Sequence, residues 1–375
     1  MTRRTLPTPC YVINEAKIEE NCRILRGIMD RTGCEILLAQ KAFSLYALYP
    51  LIGQYLSGAA SSGLYEARLS REHFPGESHV FSAAFRPDDF PEIFDYADKI
   101  IFNSMHQLRQ YGPAAKATGI SVGLRINPQH STQTGPAIYD PCAPGSRLGV
   151  TRGQFDPDCL PLIDGFHFHT LCQQDAAPLV ETVAALEGGF GPWLSQMQWL
   201  NFGGGHHITR PGYDIPALES CIRRVQDAYG VQVYLEPGEA IALDAGVLVT
   251  SVLDIVENGM QIAILDASAA CHMPDVLEMP YRPPLQDSGN PGEYPHTYRL
   301  AGMTCLAGDI IGDYSFKKSL QIGDRLAFED MAIYTMVKNN TFNGMPLPAI
   351  AIEEAGGQCR IVKTFGYNAF QSRLS

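Results

Sequence analysis

Eight short runs rich in β-formers recur along the first two-thirds of the chain, separated by amphipathic stretches. The runs are EILLAQK (35–41), GAASSG (58–63), HVFSAA (79–84), KIIFNS (99–104), SVGLRIN (121–127), GFHFHT (165–170), WLNFGGG (199–205) and VQVYLEPG (231–238). The segments between them at 14–29, 64–73, 105–118, 176–187 and 214–229 carry apolar residues at helical spacing. In the first, Asn14 stands as an N-cap ahead of Ile18, Cys22, Leu25 and Met29. Alternating strands and helices predict parallel βα units, and eight in succession predict a closed (β/α)8 barrel rather than an open sheet. GAASSG is the weakest of the eight on propensity.

Beyond about residue 245 the helical texture stops. GVLVTSVLDIVE, MQIAILDAS, YRLAGMTCLAG, DRLAFEDMAIYTM, PAIAIEEA and CRIVKTF read as strands, with turns such as Glu257-Asn258-Gly259 and Ile322-Gly323-Asp324 between them. The expected fold is therefore α/β plus all-β: a TIM-like barrel over 14–244 and a β-sandwich or β-barrel domain over 245–375. The N-terminal strand (1–13) is expected to join the β-domain. Residues 281–297, rich in Pro, Gly and Tyr, read as a loop.

Composition narrows the partners. With 45% apolar and 18% charged residues, the chain can bury sizeable cores and is not a disordered polymer. A net charge of −12 disfavours nucleic acid and anionic membranes and would steer in a small cationic substrate. No run approaches the ~20 apolar residues of a membrane span. The opening MTRRTLPTPCYVI has too short an apolar stretch for a secretion signal, so a cytoplasmic location is expected. The ten cysteines include no CxxC pair and there is no HExxH, so reduced thiols and no metal are expected.

In a parallel barrel, chemistry gathers at the C-terminal ends of the strands. Four runs end there in unusual residues. Lys41 closes the first, sharing a face with Leu37 and Ala39, where desolvation would favour a neutral, nucleophilic amine. His167 and His169 share one face of the sixth. Gly203-Gly204-Gly205 ends the seventh and could bring backbone N–H groups close to a phosphate. Glu236, before Pro237-Gly238-Glu239, ends the eighth and could bond a ring nitrogen. Each has a plain alternative: a snorkelling rim lysine, a hydrogen-bonded core histidine, a simple turn, a rim salt bridge. Jointly they supply what pyridoxal 5′-phosphate requires: an amine for its aldehyde, a flat group for its ring, N–H donors for its phosphate and an acid for its pyridine nitrogen.

At these residues the sequence resembles the alanine-racemase-like (fold type III) pyridoxal-phosphate decarboxylases. The resemblance rests on the Lys41 strand, FHT (168–170), NFGGG (201–205), LEPGE (235–239), GMTCLAGD (302–309) and YTMVKNNTFNG (334–344). HFHTLCQQ (167–174) and ACHMPDVLEMPYRP (270–283) resemble the branch acting on carboxynorspermidine and carboxyspermidine more than the ornithine or diaminopimelate enzymes. The resemblance implies roles: Lys41 carries the cofactor, His169 stacks on its ring, and Gly203, Gly204 and Gly205 hold its phosphate. It further implies that Glu236 faces the pyridine nitrogen, Tyr334 helps hold the phosphate, and Arg147 lies near the site. Cys305 is implied as a proton donor offered across a homodimer interface. Glu239 stands where ornithine-type enzymes have Arg, Cys172 where Ser is usual, and Ala60 where Asp is expected, which fits a different substrate.

The expected function is decarboxylation of carboxynorspermidine or carboxyspermidine in polyamine biosynthesis, with a diaminopimelate or ornithine-type activity on the same fold as the alternative. A polyamine-type substrate is cationic beyond its reacting centre, so carboxylates should line its pocket. Glu239 and Asp275 are the expected ones, with His272 nearby and Asp309 also a candidate. A non-catalytic relative would be expected to lack Lys41 or Cys305, and both are present.

Overall fold

The computed structural model describes residues 1–135 and 137–375. Two compact units divide the chain: Glu19–Ile241, and Met1–Ile18 together with Ala242–Ser375. Strand β1 (Cys10–Asn14) belongs to the second unit. The first holds β2 (Glu35–Ala39), β3 (Gly58–Ser61), β4 (Glu77–Phe81), β5 (Lys99–Phe102), β6 (Ser121–Arg125), β7 (Gly165–His167), β8 (Trp199–Asn201) and β9 (Gln232–Leu235). These eight pair in parallel in chain order, and β9 closes onto β2 through Glu35↔Tyr234 and Ile36↔Leu235. The expected (β/α)8 barrel is the one observed.

Its helices follow the sequence periodicity, at Glu15–Thr32, Leu64–His73, Met105–Ala117, Ala176–Leu194 and Ile215–Tyr229. Side-chain caps start four of them: Asn14, as expected, accepts from Lys17 N, Ser104 from Gln107 N, Asp175 from Ala176 N and Asp214 from Ala217 N, satisfying donors that the first turn leaves open. The last of these ends on Gly230 at φ +71°, a left-handed C-cap. Inside the barrel, Leu37, Ile101, Trp199 and Tyr234 form the floor. The Trp199 ring fits only because β6 and β7 present glycines to it. A Cβ on Gly165 would sit 2.1 Å from the indole, and one on Gly123 2.4 Å.

The second unit contains β10 (Gly246–Glu257), β11 (Gln261–Leu265), β12 (His296–Ala301), β13 (Ile310–Phe316), β14 (Arg325–Glu329), β15 (Ala349–Glu353) and β16 (Cys359–Lys363). The strand order is β13-β12-β11-β10-β1-β15-β16, with β14 also pairing β10. The N-terminal strand does join this domain: β1 runs antiparallel to β10 and parallel to β15. The long strand β10 serves two neighbourhoods, pairing β1 and β14 over its first half and β11 over its second, with a register shift between Val252 and Asp254. A core of Tyr11, Leu248, Leu265, Leu300, Tyr314, Phe328 and their neighbours fills one side. Two runs read as long strands are shorter in the structure: the one through Leu300 stops at Ala301 and the one through Phe328 at Glu329. Strand β13 was not expected from the sequence.

Candidate active site

The C-terminal ends of β2, β7, β8 and β9 bring Lys41, His169, the glycine triplet and Glu236 to one end of the barrel. Lys41 is not in the strand itself. β2 stops at Ala39 and turns, with Ala42 N–H donating to Ala39 O. Gln40 anchors that turn: its amide donates to Ser61 Oγ (2.8 Å) and Glu66 O (2.9 Å) and accepts from the Tyr49 hydroxyl (2.9 Å). Lys41 is exposed, directly after the fully buried Gln40. Desolvation, reinforced by Arg125, lowers its pKa below the usual lysine value against the pull of Glu236 and Glu66.

Glu236 continues the ladder, its N–H donating to Gly203 O (2.7 Å). Asn201 Nδ2 donates to its Oε1 at 2.7 Å, and His167 Nε2 lies 3.2 Å from its Oε2. Burial alone would raise this carboxyl. His167, His79 and Asn201 overcome that and hold it below the ordinary range, so it is an anion. Burial keeps His167 itself neutral, so the contact is an imidazole N–H donating to a carboxylate. The His167 ring stacks on Phe81 at 5.6 Å and 18°.

His169 Nδ1 accepts from Gly204 N–H at 2.8 Å. Desolvation, with Lys41 and Arg125, drives its pKa well below the ordinary value. The ring is therefore neutral and carries its proton on Nε2. The glycine triplet is forced by close approach of backbone. A Cβ would stand 2.3 Å from Phe168 O at Gly203, 2.3 Å from Glu236 O at Gly204 and 1.9 Å from Leu171 O at Gly205. Gly203 and Gly205 also have φ of +69° and +84°. Gly203 N–H donates to Asn201 Oδ1 and Gly204 N–H to His169. Among the described residues, none takes the Gly205 N–H.

Two residues not anticipated belong to this cluster. Arg125, the last residue of β6, is 4% exposed and donates to His169 O at 3.0 Å, its guanidinium 4.7 Å over the Phe81 ring. Desolvation lowers it to about 10, with Arg147 adding to the effect and Glu236 opposing it. Glu66 accepts from Ser62 N–H (2.6 Å) and is raised by burial while Lys41 pulls it down. A charged residue at a strand end was a readable signal for Arg125. Glu66 sits on a helix and had none. Arg147 is exposed, and its carbonyl accepts from Asn103 Nδ2 (2.8 Å). Glu239 Oε1 accepts from Gln173 Nε2 at 2.7 Å.

The other five expected residues lie in the β-domain. Cys305 is exposed, and its N–H donates to Asn343 Oδ1 at 2.7 Å. Tyr334 takes a positive φ of 53° at the head of the short helix Thr335–Lys338. Asp275 is held by Lys338 Nζ at 2.5 Å, which also pairs with Glu278. His272 is fully buried, with Nδ1 accepting from Ser268 N–H (3.2 Å) and Nε2 3.0 Å from Pro346 O. Asp309 is 2% exposed, and its carboxylate accepts from Ser268 Oγ (2.8 Å), Thr304 Oγ1 (2.6 Å) and Ala270 N–H (3.2 Å). Polar atoms of His272 and Asp309 are thus committed within the domain.

No group of three or more His, Cys, Asp or Glu among the described residues could hold a metal ion. No helix among them is long and apolar enough to cross a membrane. The barrel-end donor set fits pyridoxal phosphate: a depressed amine, a neutral flat imidazole, a buried anionic carboxylate, and a glycine turn whose Cβ positions are closed by backbone.

Comparison with known proteins agrees. Residues 10–332 match the family model for pyridoxal-dependent decarboxylases, C-terminal sheet domain. The carboxynorspermidine/carboxyspermidine decarboxylase of Campylobacter jejuni is 40% identical, covering 98% of each chain. The carboxyaminopropylagmatine decarboxylase of Synechocystis is 42% identical over 99% of this chain and 96% of its own. A crystal structure of carboxynorspermidine decarboxylase from Campylobacter jejuni, complexed with norspermidine, superposes with a TM-score of 0.90 at 38% identity over 98% of this chain and 100% of that one. Family model, full-length relatives and barrel-end chemistry converge, and the chain belongs to the pyridoxal-phosphate-dependent decarboxylases.

Proposed function

We propose that this enzyme decarboxylates carboxynorspermidine, carboxyspermidine or both, in polyamine biosynthesis, as a cytoplasmic homodimer. The observation that carries the substrate is the near-full-length 40% identity to the Campylobacter enzyme of that name. Glu239 at the barrel mouth supports it, since a cationic chain needs a carboxylate there.

Pyridoxal phosphate, when bound, supplies an electron sink for the pair left at Cα as CO2 departs. In this reading the chain's own groups do the rest. Lys41, whose amine gives up its proton more readily than a free lysine because of desolvation, would be the nucleophile that holds the aldehyde. His169 offers a neutral ring face, its orientation fixed by Gly204. Glu236, anionic and braced by His167 and Asn201, keeps a proton on the ring nitrogen placed against it. Arg125 braces His169 from below. Gly203–Gly205, Tyr334 and Arg147 are assigned to the phosphate side. Cys305 is assigned the return of a proton to Cα. Its exposure, with Met303 at 50%, Leu306 at 44% and Phe342 at 50%, supports a surface covered by a second copy. Asp275 and Glu239 are assigned to substrate amines, and Asp275 would have to leave Lys338 to serve.

The Synechocystis relative favours a second reading, carboxyaminopropylagmatine as substrate. Product chromatography tests both. The loaded enzyme would compete carboxynorspermidine, carboxyspermidine, carboxyaminopropylagmatine, meso-diaminopimelate and L-ornithine. Norspermidine or spermidine should appear first. Lysine or putrescine first would keep the family and overturn the substrate.

A further inference from the structure

We propose that Gln174 is a positioning residue for the cofactor's phosphate: its side-chain amide latches Thr132 and Gln133 onto the bridge that anchors Gly205, and so fixes the N–H that the glycine turn offers. The inference rests on the assignment of Gly203–Gly205 to the phosphate and asks what holds that turn in shape.

Two of the three glycine N–H groups are already committed. Gly203 donates to Asn201 Oδ1 (2.8 Å) and Gly204 to His169 Nδ1 (2.8 Å). Gly205 is left to receive a phosphate oxygen, so the orientation of the Gly204–Gly205 peptide decides the fit. Two main-chain anchors flank that peptide. Glu236 N–H donates to Gly203 O (2.7 Å) on one side, and Gln174 N–H to Gly205 O (3.0 Å) on the other. Glycine has the widest backbone freedom of any residue, so the stiffness of the turn comes from its anchors.

The Gln174 anchor is itself held by both its main chain and its side chain. Its carbonyl accepts from His207 N–H (3.1 Å), in a parallel bridge between Gln174 and His206. Its side-chain amide donates to Thr132 O (2.7 Å) and accepts from Thr132 Oγ1 (2.9 Å) and Gln133 Nε2 (2.9 Å). Gln133 Nε2 also reaches Thr170 O, at 3.2 Å. Gln173, just before, holds φ +53°, which side-chain-bearing residues rarely adopt. Such a conformation persists only where the surroundings over-determine it, and the bonds at Gln174 do so. Thr132 and Gln133 follow β6, whereas Gly205 follows β8. One amide therefore ties the segment after β6 to the phosphate turn after β8. A turn already in shape when the phosphate arrives loses less conformational freedom on binding, which is how the latch raises affinity. By linkage, a bound phosphate stabilises the latch in return.

Gln174→Met keeps nearly the same side-chain length and removes all three amide bonds. Thr132→Val is the milder variant, removing one hydroxyl donor at nearly constant volume. Apoenzyme of the parent and of both variants would be titrated with pyridoxal 5′-phosphate and with pyridoxal, which lacks the phosphate, and followed by absorbance. Hydrogen exchange of the Thr132 and Gln133 amides would be compared with and without the phosphate ester. In Gln174→Met the Kd for pyridoxal phosphate should rise about fivefold to tenfold, as one or two lost neutral hydrogen bonds imply, and the Kd for pyridoxal should stay within about twofold. Thr132→Val should shift the same way by less. In the parent, the ester should slow exchange at both amides. Equal weakening for the two compounds, unchanged ester affinity in both variants, or exchange indifferent to the ester overturns the proposal and leaves the phosphate assignment standing. A parent that binds pyridoxal as tightly as its phosphate ester overturns that assignment and this proposal with it.

Discussion

His167 Nε2 stands 3.2 Å from Glu236 Oε2, and both groups are shut inside the barrel end. The imidazole N–H is one of the two side-chain donors that keep the carboxylate ionised, the other being Asn201. His167→Phe preserves the stack on Phe81 and removes that donor. Glu236 ionises more readily than a free carboxyl, so its useful form is lost only at low pH. Without the donor its pKa rises and the acid limb of kcat should move up by roughly one to two pH units. A pH–rate profile checks this, and an unmoved limb would remove His167 from control of Glu236.

The glycine turn should tolerate no side chain at its third position. A Cβ on Gly205 would lie 1.9 Å from Leu171 O, at a φ of +84°. Gly205→Ala should weaken cofactor affinity by about tenfold or more, as a backbone shift of 1–3 kcal/mol implies. Titrating the apoenzyme with pyridoxal phosphate and following its absorbance measures this.

Asp309 and Glu239, both carboxylates expected near substrate, should behave oppositely. Asp309 is closed in by Ser268, Thr304 and Ala270, so Asp309→Ala should lower β-domain stability by about 2–4 kcal/mol. Glu239→Gln should leave stability alone and raise KM for the polyamine substrate about tenfold. Thermal melts and steady-state kinetics on both variants separate the two roles. A stable Asp309→Ala protein with a raised KM would return Asp309 to the pocket.

Asp330 makes the β-domain sensitive to pH. Burial raises its carboxyl to about 6, with Asp244 and Glu329 adding repulsion and the Asp244 N–H (2.9 Å) opposing. A folded pKa above the unfolded value means stability that is fully present below about 4 and lost as pH rises through about 6. Asparagine keeps the acceptor and cannot ionise. Asp330→Asn should therefore be more stable than the parent by about 2 kcal/mol at pH 8, with the gap closing toward pH 4. Hydrogen exchange of β10 and β14 amides, corrected for intrinsic rate, reads it out.

The barrel was legible because its signal is a repeat, and repeats survive local noise. GAASSG looked weak because packing rather than propensity chose its residues: a Cβ on Gly58 would stand 2.1 Å from Glu77 O of the next strand. Strand β13 was missed since its burial does not alternate, Ser315 and Phe316 both being buried beside Tyr314. Lys41, His169 and Glu236 stand out in the sequence because charged or polar residues ending apolar strands are conspicuous, and the structure brings them to one end of the barrel. Arg125 carried the same mark and was passed over. For Asp309 and His272, the sequence showed polar residues near a family motif but not the Ser268 and Thr304 groups that enclose Asp309. Tertiary contacts between distant segments decided those positions, and no local pattern encodes them.

The placement of β1 has a consequence for how the chain is made. Its partners lie at Gly246–Val249 on one side and Ala349–Glu353 on the other. At ~10 residues per second, a ribosome exposes β1 roughly half a minute before its second neighbour exists. Until β10 emerges Tyr11, Val12 and Ile13, all fully buried at the end, form an unprotected sticky segment, and one of its edges stays open until β15 follows. Yield in the cell should then depend on translation speed through the last hundred codons, and on chaperones that shelter the first fourteen residues, as much as on the strength of either core.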